Sequence, residues 1–419
     1  MRTHVFNTNT RVRILHSGSS LFVGKLLQLG GLLYIATLLG AYDFGIFSML
    51  LAGCQLAVLL FTFGGQQGLT KIVSRCLAIR DFAQIYAITI SSVAVMVLVA
   101  LIAYGFLSFF SEKLPLGLPE SYKVSALIGI SMWIALREGI GRGFSLVVST
   151  QITQEVISPL ALILVLFVMP FGVYNVDLMI SLWIGVYAVF EFVVCMWLFV
   201  RFSRKFVYQK PVFSFRSWVL ELGSIQLAIV SKSLVTRSDI LLTGWLLGPQ
   251  AAGIYALAHR LAQPATLIAR TLSAATSSQM SYFKSTHEFS QLKKVTRTAL
   301  YFSVLGTSVF LLTLAFLGEL VLGFSGEAYK AGYYVLVLLA CAQGIDALNS
   351  PLSHLLMMSD YGLKLTHFNF IGAILFCLAL CLGYFLGING EMIAFSVLLA
   401  QMVINGLSAL EARKFWVQL

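Results

Sequence analysis

A chain of 419 residues that is 59% hydrophobic and 11% charged, with mean hydropathy +0.90, is not a water-soluble protein; soluble domains carry about 25% charged residues. The length fits one integral membrane domain of many spans and leaves no room for a large soluble module. The net charge of +11 would suit nucleic acid, but the Lys and Arg residues lie between apolar runs, which assigns them to cytoplasmic loops instead.

The first sixteen residues are polar and basic, and span 1 is predicted over about 17–39, with Lys25 and Gln28 near one another. A turn at Tyr42-Asp43 leads into span 2, about 44–66, where Ser48, Gln55 and Thr62 recur every seven residues. Span 3 covers about 82–109, and a polar link from Ser111 to Lys123, broken by Pro115 and Pro119, follows it. Span 4, about 124–148, carries Arg137, Glu138 and Arg142; Glu138 and Arg142 are four apart, the spacing of a salt bridge along one helix. Span 5, about 154–172, holds Glu155 and Pro159, and span 6, about 178–200, holds Glu191. The basic segment Arg201 to Arg216 divides the chain into halves, residues 1–205 and 206–419.

Spans 7 and 8, about 218–247 and 252–277, meet at the turn Leu246 to Tyr255, with Gly248-Pro249 as the breaker. Lys232, Thr236, Asp239 and Thr243 follow one face of span 7; His259, Gln263, Thr266 and Arg270 follow one face of span 8. A polar stripe on an apolar helix faces a packed bundle or a wet cavity, because lipid does not tolerate it. The pair reads as lining the path of a transported, anionic molecule. Spans 9 to 12 follow at about 298–317, 332–356, 365–386 and 391–411; span 10 carries Gln343, Asp346, Asn349 and His354. Glu191 and Asp346 read as lone acids deep in apolar sequence, and proton coupling is one role for them.

Alternate loops, starting with the N-terminus, hold 19 of the 28 basic residues, whereas the opposite loops hold Lys113, Lys123 and Lys330. Both termini are therefore predicted cytoplasmic. The six cysteines show neither metal-ligand spacing nor an implied disulfide framework, and His259 and His354 have no companion ligands. No Gly-rich phosphate-binding loop of the form GxxxxGK[ST] is present, so no cofactor and no direct use of ATP is expected.

Leu38-Leu39-Gly40 followed by Gly45-Ile46-Phe47 recurs as Leu246-Leu247-Gly248 followed by Gly253-Ile254-Tyr255, always 208 residues on. Spans 1–2 thus correspond to spans 7–8, in a parallel repeat of two six-helix lobes. The stretches LLGAYDFGIFSML and SDILLTGWLLGPQAAGIYALAHRLAQP resemble the lobe signatures of the polysaccharide transporter family, the Wzx-type flippases of lipid-linked oligosaccharides such as O-antigen units. That family lies in the multidrug/oligosaccharidyl-lipid/polysaccharide exporter superfamily. The resemblance implies an all-α integral membrane protein, with about twelve transmembrane helices in two pseudo-symmetric lobes around a central cavity. It also implies alternating access, a bacterial inner-membrane location, and an undecaprenyl-pyrophosphate-linked glycan moved from the cytoplasmic to the outer leaflet.

Such cargo presents a pyrophosphate, which Arg binds with two parallel hydrogen bonds and Lys meets as a point charge. Lys25, Lys232, Arg237, Arg260 and Arg270 are the cation candidates, with Gln55 and Gln263 as sugar-binding candidates. Glu138, Glu191, Asp239 and Asp346 are the candidates for coupling or gating. Expected partners are the lipid-linked substrate, membrane lipid, a coupling proton or sodium ion, and other polysaccharide-assembly proteins. Snorkelling of the cations to the headgroups and packing of the acids are the bland alternatives. A cation-coupled drug exporter would want acids in span 1, which offers Lys25 and none. A glycan polymerase or ligase would want a large outer loop, and the longest outer link is roughly Phe110 to Lys123. A lipid II flippase usually has two further spans. The chain therefore reads as a transporter and not an enzyme.

Overall fold

The structure is a computed structural model that describes residues 8–61, 81–110, 120–144, 156–168, 175–202, 215–267, 288–357 and 362–418, with short pieces at 69–70, 72–73 and 76–77 and single residues at 269, 272, 276 and 283. Its described elements are helical: α1 (Thr8–Phe61), α2 (Phe82–Phe110), α3 (Ser121–Gly143), α4 (Ser158–Val168), α5 (Val176–Phe202), α6 (Phe215–Leu247), α7 (Pro249–Ala262), α8 (Phe289–Phe324), α9 (Tyr333–Met357), α10 (Gly362–Leu386) and α11 (Gly390–Gln418). Two 3-10 turns, Gln263–Thr266 and Glu327–Gly332, lie between them. Among the described residues, eight helices are long and apolar enough to cross a membrane. The chain is an all-α integral membrane protein, and each of the twelve predicted spans has its helix or helix arm, because α1 holds two.

The break inside α1 falls at Gly40, two residues before the expected Tyr42-Asp43 turn. Its backbone, φ 71° and ψ 172°, is a region essentially closed to residues with a Cβ. The repeat-equivalent Gly248 has φ 89° and ψ 170°, with Pro249 opening α7 behind it. Each hairpin tip is therefore set by the same glycine conformation. Span 8 departs from expectation, because α7 ends at Ala262 and a 3-10 turn carries the chain past Pro264. Proline has no N–H for the carbonyl four residues back, so the α-helical ladder cannot run through it. The Thr307 hydroxyl of α8 donates to the Ala265 carbonyl, at 3.4 Å, within that turn.

The chain forms two compact units, Met1–Leu32 with Met49–Val230, and Leu33–Ser48 with Ser231–Leu419. In the first, α3 packs on α2 and α5, and α5 also packs on α4. The outward side chains of α2, including Leu98, Leu101, Ile102, Phe106 and Phe109, are exposed, as a lipid-facing helix requires. In the second unit α9 is the hub, packed on α7, α8, α10 and α11. Small residues, Ala340, Ala342 and Ala347, let its neighbours approach. Polar side chains fasten it: the Asn349 amide donates to Asn405 of α11 at 3.0 Å, and Asn405 donates to Gln401 at 3.0 Å. Asn349 thus binds a neighbouring helix.

The tip of the first hairpin, Leu33–Ser48, is part of this second unit. There the two repeats cross at their glycines. A Cβ on Gly45 would stand 1.8 Å from the Pro249 carbonyl oxygen, and one on Gly253 would stand 2.0 Å from that of Ala41. Gly45 and Gly253 are equivalent, and so are Ala41 and Pro249, so the contact is made twice by symmetry. Tyr329 closes over it: its hydroxyl donates to the Ala36 carbonyl at 3.1 Å, and its ring meets Phe44 edge-on with centroids 6.2 Å apart.

Candidate functional site

Two buried polar clusters stand out from the apolar helices, one in each unit. In the first unit, Arg137 of α3 forks onto Glu191 of α5. Its Nε donates to Oε2 at 2.6 Å and its Nη2 to Oε1 at 2.9 Å, with the side chains only 3% and 6% exposed. Glu191 is therefore not the lone acid expected; a bidentate guanidinium holds it. Arg137 is not among the sequence-derived site candidates, although its depth in the membrane is a signal for it. Arg137 lies sixteen residues past the start of α3 and Glu191 fifteen past the start of α5, which places opposite charges at one depth on two spans that run the same way. The remaining nitrogen of the fork, Nη1, is buried and has no partner among the described residues. One residue on, Glu138 accepts from Arg142 as its spacing predicted, and Thr70 donates to the Gly139 carbonyl at 3.0 Å. Two ion pairs thus follow one another on α3.

In the second unit, Asp239 of α6 is completely buried. Its Oδ2 accepts from the Tyr255 hydroxyl at 3.1 Å and lies 3.8 Å from Nε2 of His259, both on α7. Its Oδ1 accepts from the backbone N–H of Ile240 at 2.9 Å. Thr243, also fully buried, donates to the Asp239 carbonyl at 2.7 Å. Asp239 is thereby joined to the neighbouring helix α7. Much of the striped face is packed into the bundle here, because Asp239, Thr243, His259 and Thr266 are all buried. Tyr255 is a partner that polarity along the sequence does not single out, although the hairpin register points to it. Asp239 is nine residues before the Gly248 turn, and Tyr255 and His259 are seven and eleven after it. The repeat-equivalents of Asp239, Tyr255, His259 and Arg260 are Gly31, Phe47, Leu51 and Ala52, so this polar cluster belongs to the second hairpin. His259 Nδ1 is buried without a partner among the described residues.

The remaining described candidates lie on α1, α6, α7, the 3-10 turn after α7, and α9. Lys25 on the first arm of α1 is half-buried and donates to Gln28 at 2.8 Å, the neighbour that the sequence suggested. Gln55 and Gln263 are repeat-equivalents, and both are half-buried. Arg237 on α6 and Arg260 on α7 are half-buried, as is Asp346 on α9. Lys232 lies on α6, but its side chain is outside the described residues, and Arg270 falls outside them altogether. No group of three His, Cys, Asp or Glu residues able to hold a metal occurs among the described residues.

The fold is similar to those of known transporters. The fold matches an inward-facing multidrug resistance MATE family transporter of the MOP superfamily, with a TM-score of 0.69 and 13% identity over 97% of this chain and 94% of that one. The MATE multidrug transporter DinF-BH, solved with a bound ligand, matches with a TM-score of 0.68 and 14% identity over 99% and 97%. A MOP superfamily transporter from Pyrococcus furiosus, reported with a binding pocket of reverse polarity, matches with a TM-score of 0.65 and 14% identity over 96% and 95%. No curated protein sequence matches the chain. The model of the polysaccharide biosynthesis protein family matches residues 14–278, well over half of the chain. On that match the chain belongs to the polysaccharide biosynthesis protein family, built on the fold of the MOP superfamily transporters.

Proposed function

We propose that the protein is a flippase in a bacterial inner membrane. It moves an undecaprenyl-pyrophosphate-linked oligosaccharide, such as an O-antigen unit, from the cytoplasmic to the outer leaflet. The lobes are residues 1–205 and 206–419, both termini are cytoplasmic, and the two alternate their access around a cationic path. The observation that carries this reading is the excess of cations at membrane depth on the repeated hairpins. Lys25, Lys232, Arg237, Arg260 and Arg270 fall in these spans against two acids, Glu221 near the start of span 7 and Asp239. A cation at the bilayer centre costs at least about 2.5 kcal/mol on insertion scales, so retaining five calls for compensation. A pyrophosphate is an anion suited to meeting such cations, and Gln55 and Gln263 stand at equivalent positions of the two repeats as candidates to bind sugar hydroxyls.

The family match supports cargo from polysaccharide assembly, and other assembly proteins are its natural partners. The MATE likeness speaks for the fold and does not favour a cationic drug, since the first arm of α1 offers Lys25 and no acid. Coupling to a proton or sodium gradient falls to Asp239 and Asp346. Glu191 and Glu138 are engaged by Arg137 and Arg142, which favours positioning roles for them.

The test is complementation of a deletion strain, reading which lipid-linked saccharide accumulates on the inner leaflet. Lys25→Ala, Lys232→Ala and Arg270→Ala should each insert and express yet lose most glycan export, while Lys25→Arg and Arg270→Lys keep more of it. Full complementation by Gln at all three sites, at native expression, would remove the cationic path and leave snorkelling as their explanation.

A further inference from the structure

The helix α8 carries an outward face that holds none of the candidate site residues. Its inner side is fixed to the bundle. Leu292 and Ala299 pack with Leu355 of α9, the Ser303 hydroxyl donates to the Ala347 carbonyl at 2.9 Å, and Thr307 is fully buried. On the other side, Lys294, Tyr301, Leu305 and Leu312 follow at i, i+7, i+11 and i+18, which is one helix face, and all four are exposed. Arg297, also exposed, and the half-buried Lys293 flank Lys294.

The charges on α8 give the depth of this face. Residues 298–318, between Arg297 and Glu319, are a run of 21 without a charge. At about 1.5 Å per residue the run measures about 31 Å, close to the roughly 30 Å of a hydrocarbon core. Arg297 therefore stands at the hydrocarbon border, with Lys294 and Lys293 about 4–6 Å beyond it. That is the headgroup layer, about 5–8 Å deep on each side of a bilayer.

These cations also lack the partners that others have. Lys123, Lys330, Lys364 and Lys414 each have a carboxylate oxygen at 3.7 Å or less. Lys293, Lys294 and Arg297 have no ion pair among the described residues. The nearest described acid along the chain, Glu288, precedes the helix and falls on a different face. Unpaired cations at phosphate depth, continued into the hydrocarbon by an apolar face, match a molecule with an anionic head and a hydrocarbon tail. A water-soluble acidic protein would meet the cations and leave Tyr301, Leu305 and Leu312 uncovered.

We infer that this face of α8 binds an anionic phospholipid of the inner leaflet. Its phosphate sits on Lys294 and Arg297, with Lys293 beside them, and an acyl chain follows Tyr301, Leu305 and Leu312. The inference rests on the orientation that puts the basic loops in the cytoplasm and not on the nature of the cargo, so it stands or falls apart from the flippase reading. Lipid held there fixes the cytoplasmic end of α8, and the end of α9 packed on it, at the headgroup layer.

The test uses the full-length protein with phosphatidylglycerol. A phosphatidylglycerol carrying a diazirine on one acyl chain, photolysed in nanodiscs, should mark the peptide that contains Tyr301 to Leu312. Unlabelled phosphatidylglycerol should compete for that mark, and phosphatidylcholine of the same chains should not. In native mass spectrometry, the affinity for the tightest-held phosphatidylglycerol should fall about fivefold in Lys294→Gln and about a hundredfold in the triple variant Lys293→Gln, Lys294→Gln, Arg297→Gln, since each cation near the surface contributes about fivefold. Arg413→Gln with Lys414→Gln, at the cytoplasmic end of α11, is the control and should change it far less. Marks confined to other helices, equal competition by phosphatidylcholine, unchanged affinity in the triple variant, or an equal loss in the control would each overturn the site. Undecaprenyl pyrophosphate that displaces the label at lower concentration than phosphatidylglycerol would assign the face to a polyprenyl lipid and overturn the phospholipid. The photolabelling needs no variant, so it decides the matter where a variant folds poorly.

Discussion

Arg137 and Glu191 show what a buried charge demands of its surroundings. Each alone at this depth would have to shed its charge or find water, and together they satisfy four of the atoms concerned through two short bonds. Such a pair is weak evidence for stability but very sensitive to losing one member. Glu191→Leu should therefore destabilise the protein by about 3–5 kcal/mol, because it strands a buried guanidinium. The double variant Arg137→Met with Glu191→Leu should regain most of that loss, which thermal unfolding in detergent would register. Equal instability of the single and double variants would mean that Glu191 acts through something other than its arginine. The Asp239 cluster follows the same logic, with a hydroxyl in place of a guanidinium: Tyr255 and the Ile240 N–H occupy its two oxygens.

Among the elements, the hairpin tips depend on backbone conformation and the helix interiors on packing. Gly40 and Gly248 have room for a side chain, since nothing stands within 4 Å, but their positive φ values exclude one. Gly40→Ala and Gly248→Ala should each cost about 1–3 kcal/mol, the strain of holding a Cβ in that region. Gly105 in α2 is the control: it too has nothing within 4 Å and lies inside a helix without positive φ. Gly105→Ala should be neutral or gain up to about 1 kcal/mol. Chemical denaturation of the three variants side by side checks the contrast, and equal effects would show that the turns tolerate a side chain. Pro264 acts by a third route, removing a backbone donor and turning one predicted helix into α7 and a 3-10 turn.

For the whole molecule, the distribution of charge between loops sets how the bundle sits in the membrane. Cysteines replacing Ser121 and Gly326 should react with an impermeant reagent from outside, and those replacing Gln209 and Ser290 only from the cytoplasmic side. Outside labelling at position 209 would overturn the division into lobes at 205/206, because that segment is the proposed cytoplasmic linker. The same topology puts both glycine turns on one side, where the crossing of the tips lies.

The sequence by itself determined the membrane class, the helix content, the positions of most spans, and the repeat that pairs Gly40 with Gly248 and Gln55 with Gln263. These follow from local physics: an apolar run must bury its backbone in its own helix, and a Gly-Pro or a glycine of fixed register must end it. The Glu138–Arg142 pair was legible for the same reason, since both ends lie on one helix. Only the tertiary structure decided that Glu191 belongs to Arg137, that Tyr255 holds Asp239, and that Asn349 serves α11. Each of these partners lies on another helix, and hydropathy gives the depth of a residue without its direction around the helix. The Gly45–Gly253 crossing was hidden for a related reason. A glycine reads alike in sequence whether it meets lipid or another backbone, and only the neighbouring carbonyl at the place of the missing Cβ tells the two apart.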